Sequence, residues 1–231
     1  MDEGFHTTRW TRVIAARGGA PESKAALSEL CEIYYGPVFR YIRNAAGVGE
    51  DAAQDLTHAF FEGLLGKGGI GNVEQGRAKF RSYLLGAVKH FLADQRKRDS
   101  AAKRGGGVPD EEFDEVDDEG GSSAPVRDSY FDREWALALL GRAHDRLLEE
   151  HEAQGKGEQF EALKPWLTGD QPGVSQAEVA SGLGVSEGAL KVAIHRLRKR
   201  MRGAVRAEIS HTVESEDEIA GELNYLIEAL G

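Results

Sequence analysis

The sequence predicts an all-α protein made of two small helical bundles, an acidic flexible linker between them and a C-terminal helical tail. Apolar residues recur every three or four positions through most of the chain, which is typical of helices. No segment alternates apolar and polar residues as a strand would. The apolar pattern stops between Gly105 and Asp128, where Gly, Ser, Pro and acidic residues replace it. The predicted segments are 1–104, 105–128, 129–206 and 207–231.

Four segments of the first bundle have a helical apolar pattern, and we expect them to pack together. Their inward positions, in chain order, are Trp10, Val13 and Ile14; Leu27, Leu30, Ile33 or Tyr34, Val38 and Tyr41; Ala52, Leu56, Phe60 and Leu64 or Leu65; and Phe80, Leu84, Val88 and Phe91 or Leu92. Pro37 interrupts the second segment, where it breaks or kinks the helix or lies in the first turn of a following helix.

A second helical set is predicted from about Ser129. Its inward positions are Phe131, Trp135, Leu139 or Leu140, Ala143 and Leu147, then Phe160, Leu163 and Trp166 or Leu167, with Pro165 as an interruption. The tail repeats the pattern at Ile219, Leu223, Leu226, Ile227 and Leu230.

Charge is strongly segregated along the chain, although the formal net charge is -10. Residues 77–104 hold nine Lys or Arg and two acids, and residues 188–206 hold seven basic residues and no acid. Residues 110–119 hold eight acids, and residues 207–231 hold seven acids and no Lys or Arg. Two basic patches, each followed by an acidic segment, indicate sites for a polyanion together with segments that compete with it. The simpler interpretation is that both patches are solvated helix faces.

Cellular context and chemistry are also constrained by the composition. The single cysteine, Cys31, excludes an intrachain disulfide and favours a reducing, cytoplasmic location. The N-terminus lacks a signal-peptide pattern, and no apolar run approaches the ~20 residues of a membrane helix. No Gly-rich phosphate loop, zinc-protease motif or metal-spaced Cys/His cluster is present, so we expect no catalytic residue, no metal site, no cofactor and no enzyme activity.

The stretch SQAEVASGLGVSEGALKVAIHRLRKRMR, residues 175–202, predicts a helix-turn-helix. Ser175 and Glu178 form a capping box, and Ser186 is placed to cap the next helix. Gly182 and Gly184 allow a tight turn between the two helices. The second helix has an apolar stripe of Leu190, Ile194, Leu197 and Met201. Its other faces carry Lys191, His195, Arg196, Arg198, Lys199, Arg200 and Arg202. A cationic second helix suits DNA, whereas an ordinary helical hairpin with a solvated basic face remains the alternative.

This stretch resembles region four of an extracytoplasmic-function (ECF) sigma factor. EDAAQDLTHAFFEGLL, residues 50–65, resembles the region-two helix with its Asp-x-x-Gln-Asp-Leu-Thr-x-x-Phe-Phe pattern. KFRSYLLGAVKHFLADQRKR, residues 79–98, resembles the helix that follows it. The order of the segments is also that of the family, and the resemblance covers roughly residues 7–206.

The resemblance implies core RNA polymerase and promoter DNA as partners. Polymerase would be bound by Asp51, Asp55, Leu56, Thr57, Phe60 and Phe61, with one of the two phenylalanines facing inward. The minus-ten element would be contacted by Lys89, His90, Arg96, Lys97 and Arg98. The minus-thirty-five element would be contacted by the second helix of the helix-turn-helix, through Ser186, Glu187, Lys191, His195, Arg196 and Lys199. His58 stands where many relatives have glutamine, so we expect a different polymerase contact there.

Regulation is suggested by the acidic segments. The family's linker is thought to occupy a polymerase channel until nascent RNA displaces it, and residues 110–125 have a suitable charge. We hypothesise that residues 208–231 fold back on region two or region four and restrain the basic surfaces, or else form a helix that completes the core. The resemblance also allows an anti-sigma factor or other regulator as a partner, whose identity the sequence does not give.

Two other classes of function fit part of the sequence. A polymerase-independent helix-turn-helix regulator would form stable dimers and bind an operator tightly by itself. An interaction protein would use the basic helix to meet an acidic partner. A sigma factor differs from both because it initiates transcription specifically, and only together with core polymerase.

Overall fold

The computed structural model describes residues 21–66, 80–103, 124–169, 173, 175–213 and 215–231. Every regular element in these ranges is a helix, which confirms the all-α class. The α-helices are α1 (Pro21–Ala46), α2 (Glu50–Leu65), α3 (Phe80–Lys103), α4 (Ala124–Glu152), α5 (Gly157–Leu163), α6 (Gln176–Gly182), α7 (Glu187–Ser210) and α8 (Asp217–Leu230), and a 3₁₀ segment, Lys164–Thr168, follows α5. The predicted leading helix around Trp10 and residues 105–123 of the predicted linker lie outside the described residues.

The chain divides into two compact units, whose boundaries differ from the predicted segments. Unit 1 contains the chain up to Ala138 together with Ser210–Gly231, and unit 2 contains Leu139–Ile209. Helix α4 therefore contributes residues to both units. It begins at Ala124, so residues 124–128, which the sequence assigned to the linker, are helical.

Helix α1 supplies the centre of unit 1. Leu27, Leu30, Tyr34, Val38 and Tyr41 are all buried, as the sequence predicts. Pro37 lies inside the continuous helix and is itself buried, so the predicted break, or start of a following helix, at this position is wrong. Proline removes one helical hydrogen bond, and the buried neighbours before and after it offset that loss.

Helices α2 and α3 pack beside α1 in unit 1. The buried face of α2 is Ala53, Thr57, Phe60, Phe61 and Leu64, because the helix is rotated relative to the predicted stripe through Ala52 and Leu56. The predicted positions of α3 are confirmed at Phe80, Leu84, Val88 and Leu92. The ring of Phe80 meets that of Tyr34 edge to face at 4.9 Å, and this aromatic contact joins α3 to α1.

The first part of α4 belongs to unit 1 because its aromatic side chains are buried there. The Phe131 ring lies 5.6 Å from that of Tyr41, in an edge-to-face arrangement. The indole of Trp135 donates a hydrogen bond to the Tyr34 hydroxyl at 3.1 Å, so its polar edge is satisfied inside the core. These contacts explain why residues 129–138 group with the first bundle.

Unit 2 is built on the second part of α4. Leu139, Ala143 and Leu147 are buried, as predicted, and so are Phe160, Leu163 and Trp166 of the next elements. Helix α5 ends at Leu163, and Pro165 lies in the first turn of the 3₁₀ segment that follows. A proline tolerates this position because the first N–H groups of a helix have no partner within it.

The acidic tail forms helix α8, which confirms the predicted amphipathic helix. Ile219 and Leu226 are buried, whereas Leu223 and Leu230 are half-buried. Ile227 is 65% exposed, so its predicted inward position is wrong. The most deeply buried residue of the helix is a charged one, Glu222, at 1% exposure.

Candidate nucleic-acid interface

The helix-turn-helix of unit 2 is fixed by two serine caps and one glycine. The Ser175 hydroxyl accepts a hydrogen bond from the amide of Glu178 at 3.3 Å, and the Ser186 hydroxyl accepts one from the amide of Ala189 at 3.2 Å. Each cap satisfies an amide that the first turn of a helix leaves without an internal partner. Gly184 has φ +65°, in the left-handed region that glycine adopts without strain. The predicted start of each helix and the predicted turn are thus confirmed.

Helix α7 separates an apolar face from a polar one. Leu190, Ile194 and Leu197 are at most 5% exposed, and each such burial contributes ~1.5–3 kcal/mol to holding the helix in unit 2. Of the predicted DNA-contacting side chains, six are exposed: Ser186, Glu187, Lys191, His195, Arg196 and Lys199. The structure therefore brings this set to the solvent side of a single helix.

Glu187 and Lys191 form an ion pair on that side, with Lys191 Nζ 2.7 Å from Glu187 Oε1. Both side chains are at least half exposed, at 61% and 50%, so the pair contributes less than ~1 kcal/mol. Phosphate groups of DNA can therefore compete for Lys191 at little cost.

Two arginines of α7 that look like DNA contacts in the sequence are used inside unit 2. Arg198 donates from Nε to the main-chain carbonyl of Trp166 at 2.7 Å. Arg200 donates to Glu150 Oε2 at 2.6 Å and to His151 Nε2 at 3.1 Å. These bonds tie the helix to the 3₁₀ segment and to the end of α4.

The environment of His151 fixes its tautomer. Its Nδ1 donates to the carbonyl of Leu147 at 2.6 Å, which leaves Nε2 to accept from Arg200. The hydrogen bond from Arg200 also lowers the pKa of the Glu150 carboxyl, helped by Arg146, although desolvation acts in the opposite direction. Glu150 and His151 together hold Arg200 in place.

A second cationic surface lies on α3 in unit 1. The predicted minus-ten residues are all exposed: Lys89, His90, Arg96, Lys97 and Arg98. Two of them have partners among the described residues of the unit. Arg96 donates to the carbonyl of Ala45 at the end of α1, at 3.0 Å, and Lys89 Nζ donates to Asp128 Oδ2 at 2.8 Å.

The predicted polymerase-binding face on α2 is only partly at the surface. Asp51 and Asp55 are exposed, and Leu56 is half-buried. We predicted that one of the two phenylalanines faces inward, and the structure buries both, since Phe60 and Phe61 are 4% and 7% exposed. Their rings lie 5.1 Å apart, and that of Phe60 also meets Phe91 at 5.6 Å. Both phenylalanines serve the core of unit 1 in this structure.

Thr57 is the third predicted polymerase contact that is buried. Its side chain is fully buried, and its hydroxyl donates to the carbonyl of Ala53 one turn earlier, at 2.6 Å. That bond satisfies the hydroxyl within its own helix. The carboxylates of α2 therefore lie at the surface, whereas Thr57, Phe60 and Phe61 are buried.

His58, where the resemblance predicts a departure from the family pattern, has a local partner. Its Nε2 is 3.0 Å from the hydroxyl of Tyr35 on α1. The Tyr35 ring stacks on that of Phe61, with centroids 5.9 Å apart. The histidine thus stabilises an aromatic contact between α1 and α2.

A buried ionic cluster in unit 1 was missed by the sequence reasoning. Arg81 NH1 donates to Asp132 Oδ1 at 2.5 Å, and Arg81 Nε lies 3.6 Å from Glu222 Oε2. The guanidinium lies over the ring of Tyr225, 4.0 Å from its centroid, and 5.2 Å from that of Trp135. The hydroxyl of Tyr225 donates to the second oxygen of Asp132. The only sequence signal was an arginine among apolar positions of α3.

Comparison with known families decides what these surfaces belong to. The family model for ECF sigma factors matches residues 22–207. The chain belongs to the ECF sigma factor family. This sigma factor therefore acts in transcription initiation, and its family binds core RNA polymerase and promoter DNA. Comparison with curated proteins and with solved structures gives no significant match.

The family match also bears on the tail and on other chemistry. It ends at residue 207, so the whole of α8 lies beyond the matched part of this sigma factor.

ECF sigma factors are non-enzymatic transcription factors. Among the described residues, no group of His, Cys, Asp and Glu side chains could hold a metal ion. None of the described helices is long and apolar enough to cross a membrane.

Proposed function

We propose that this sigma factor contacts two promoter elements through two exposed helix faces, one in each compact unit. Helix α7 of unit 2 would lie in the major groove at the minus-thirty-five element. The observation that carries this is the separation of its faces, with Leu190, Ile194 and Leu197 buried and the polar residues on the opposite side. Arg196 is suited to a base edge, and Lys199 is suited to phosphate.

Helix α3 of unit 1 would contact the minus-ten element. Promoter opening needs a cationic surface for a displaced strand and stacking surfaces for unpaired bases. Lys97 and Arg98 are exposed near the end of α3, and Lys89 and His90 are exposed two turns earlier. Phe80 is fully buried, so it is a core residue, whereas Tyr83 is half-buried and is the aromatic candidate for stacking.

Helix α2 would dock on core polymerase through its carboxylates. Asp51 and Asp55 are exposed on the same helix, with Leu56 beside them, and this combination suits a partner surface that carries arginines. Thr57, Phe60 and Phe61 would act indirectly, by holding the helix at its angle in the bundle.

The acidic tail would restrain DNA binding by the free protein. Helix α8 packs within unit 1, the unit that carries the minus-ten surface, and it brings no Lys or Arg. A truncation after Val213 keeps the buried Thr212 and Val213 and removes α8. We expect the truncated protein to bind promoter DNA more tightly than the full chain. Unchanged or weaker binding by a folded truncation would show that α8 only completes the core.

One experiment tests the central proposal. The purified chain is incubated with core RNA polymerase, re-isolated as a complex and used for run-off transcription on a genomic fragment library. We expect a stable complex and new discrete start sites that core polymerase alone does not use. Variants Asp55→Arg and Lys199→Ala should separate the two steps, since the first should lose the complex, whereas the second should keep the complex and reduce transcription from the new start sites. A chain that binds no polymerase and changes no start site would overturn the proposal.

A further inference from the structure

Helix α4 carries two carboxylates one turn apart, and each pairs with a basic residue of α3. Asp128 and Asp132 are separated by four positions, so they lie on the same face of α4. Asp128 pairs with Lys89, and Asp132 pairs with Arg81. All four residues belong to unit 1.

The two pairs differ in exposure, which gives them different roles. The side chains of Arg81 and Asp132 are 9% and 8% exposed, so this pair is a buried structural contact. Those of Lys89 and Asp128 are 42% and 36% exposed, so this pair is open to competition from solvent ions or a polyanion. Lys89 is also one of the proposed minus-ten contacts.

We infer that the ion pair between Asp128 and Lys89 competes with the binding of a DNA phosphate to Lys89. Contacts of Asp132 with Arg81 and with helix α8 keep Asp128 in the position that makes this pair. The inference rests on the proposed role of α3 at the minus-ten element. The tail need not cover the DNA surface itself under this arrangement. It acts by holding the start of α4 against α3.

Helix α8 holds α4 through Asp132. Tyr225 donates its hydroxyl to one oxygen of Asp132, and Arg81 donates to the other. Glu222 Oε2 forms an ion pair with Arg81 through Nε, at 3.6 Å. Because the cluster is buried, rotating α4 away from α3 would leave a charge without a partner, which is strongly unfavourable. Asp128 lies one turn from this fixed point, so the position of its carboxylate is set by the same cluster.

Glu134 supplies a matched control on the same helix. It pairs with Arg40 of α1 at 2.8 Å, and Arg40 is not a proposed DNA contact. Glu134→Gln and Asp128→Asn each remove one negative charge from α4. A long-range effect of net charge would therefore appear in both variants, whereas release of Lys89 would appear only in the second.

The test measures binding of a labelled, mixed-sequence single-stranded DNA by the full-length chain at low salt. We expect Asp128→Asn to tighten binding about two- to fivefold, which is the range that an exposed ion pair allows. Glu134→Gln should leave the dissociation constant unchanged. In a Lys89→Ala background, Asp128→Asn should have no further effect, since the released group is absent.

A second cycle tests the part played by α8. Tyr225→Phe should tighten DNA binding in the same direction as Asp128→Asn, and the double variant should bind no more tightly than Asp128→Asn alone. Additive effects would mean that the tail acts by another route. Thermal unfolding of every variant identifies any that fail to fold.

Several outcomes would overturn the inference. One is an unchanged dissociation constant for Asp128→Asn, and another is tightening that persists in the Lys89→Ala background. Polymerase binding and start-site selection by the unaltered chain test the proposed function separately. A chain that passes those tests while Asp128→Asn has no effect keeps the function and loses only this inference.

Discussion

Arg81 Nε on α3 lies 3.6 Å from Glu222 Oε2 on α8, and the side chain of each residue is more than nine-tenths buried. Burial alone would lower the pKa of Arg81, but the charges of Asp132 and Glu222 outweigh that effect and raise it. The arginine thus remains charged between two carboxylates. A segment beyond the family match is joined to the first bundle by charge as well as by apolar packing.

Replacing Arg81 with methionine should strongly destabilise unit 1. The substitution keeps most of the side-chain volume but leaves Asp132 and Glu222 buried without a counter-charge. We expect the free energy of unfolding to fall by ~3–5 kcal/mol. Urea unfolding followed by circular dichroism measures this change.

Arg40→Met is the control for that experiment. It breaks an ion pair with Glu134 in the same unit, but the Arg40 side chain is 51% exposed. We expect a loss of at most ~1 kcal/mol. If both variants lose the same small amount, the buried cluster does not contribute to stability as argued.

Arg198 and Lys199 are neighbours on α7, but replacing the first should affect stability and replacing the second should affect promoter binding. Arg198→Met removes the hydrogen bond to the Trp166 carbonyl and should cost ~1–3 kcal/mol of stability in unit 2. Lys199→Met changes an exposed residue and should leave stability unchanged. It should instead weaken promoter binding by the polymerase complex. The slope of the logarithm of the binding constant against the logarithm of the salt concentration should become shallower by about 1, since one phosphate contact is lost.

Thermal unfolding and salt titration of the polymerase–promoter complex check this pair of variants. If Lys199→Met leaves both the affinity and the salt slope unchanged, Lys199 makes no phosphate contact. An unaltered melting temperature for Arg198→Met would mean that its hydrogen bond is replaced by water at no cost.

The sequence predicted the helices well, because their evidence is local. Apolar spacing identified Leu190, Ile194 and Leu197, and serine capping positions gave the starts of α6 and α7. It could not tell which basic residues of α7 are free for DNA. Arg198 bonds to a carbonyl 32 positions away and Arg200 to a carboxylate 50 positions away, and nearby sequence does not mark these two contacts.

The same limit explains the errors in unit 1. Phe60 and Phe61 are adjacent in sequence, yet the bundle surrounds α2 closely enough to bury both. The tail was predicted to fold back as a helix, but its site could not be derived. That site depends on Arg81, Asp132 and Glu222, which come together only in the folded unit.

Gly184 should tolerate substitution poorly for a purely conformational reason. A Cβ at this position would meet no heavy atom within 4 Å, so crowding is not the cause. The left-handed φ of +65° should cost an alanine ~1–2 kcal/mol. Asparagine tolerates this region better, so Gly184→Asn should lose less stability than Gly184→Ala.

Gly203→Ala is the control for the turn. Gly203 lies within α7, and an added Cβ there also meets nothing within 4 Å. Alanine favours a helix interior over glycine by ~0.5–1 kcal/mol, so this variant should be more stable than the parent. Thermal unfolding of both variants gives the comparison, and a similar loss in both would contradict the conformational explanation.

Tyr225 should make unit 1 less stable at alkaline pH. Burial, together with the hydrogen bond that it donates to Asp132, raises the pKa of Tyr225 to about 12, whereas an unfolded tyrosine titrates near pH ~10. Above pH ~10 the unfolded chain releases this proton while the folded chain retains it. The stabilising contribution is therefore complete below pH ~10 and is lost as the pH rises toward about 12.

Comparison with Tyr225→Phe isolates this effect, since all other groups titrate in both proteins. The difference in unfolding free energy between parent and variant should be constant up to pH ~10 and then shrink as the pH rises. Urea unfolding at several pH values between ~9 and ~11 measures it. A difference that stays constant over this range would mean that the phenol titrates alike in the folded and unfolded chain. In that case the hydrogen bond to Asp132 would not stabilise the protonated phenol. The proposed contact between α8 and α4 would then depend on Arg81 and Glu222 alone.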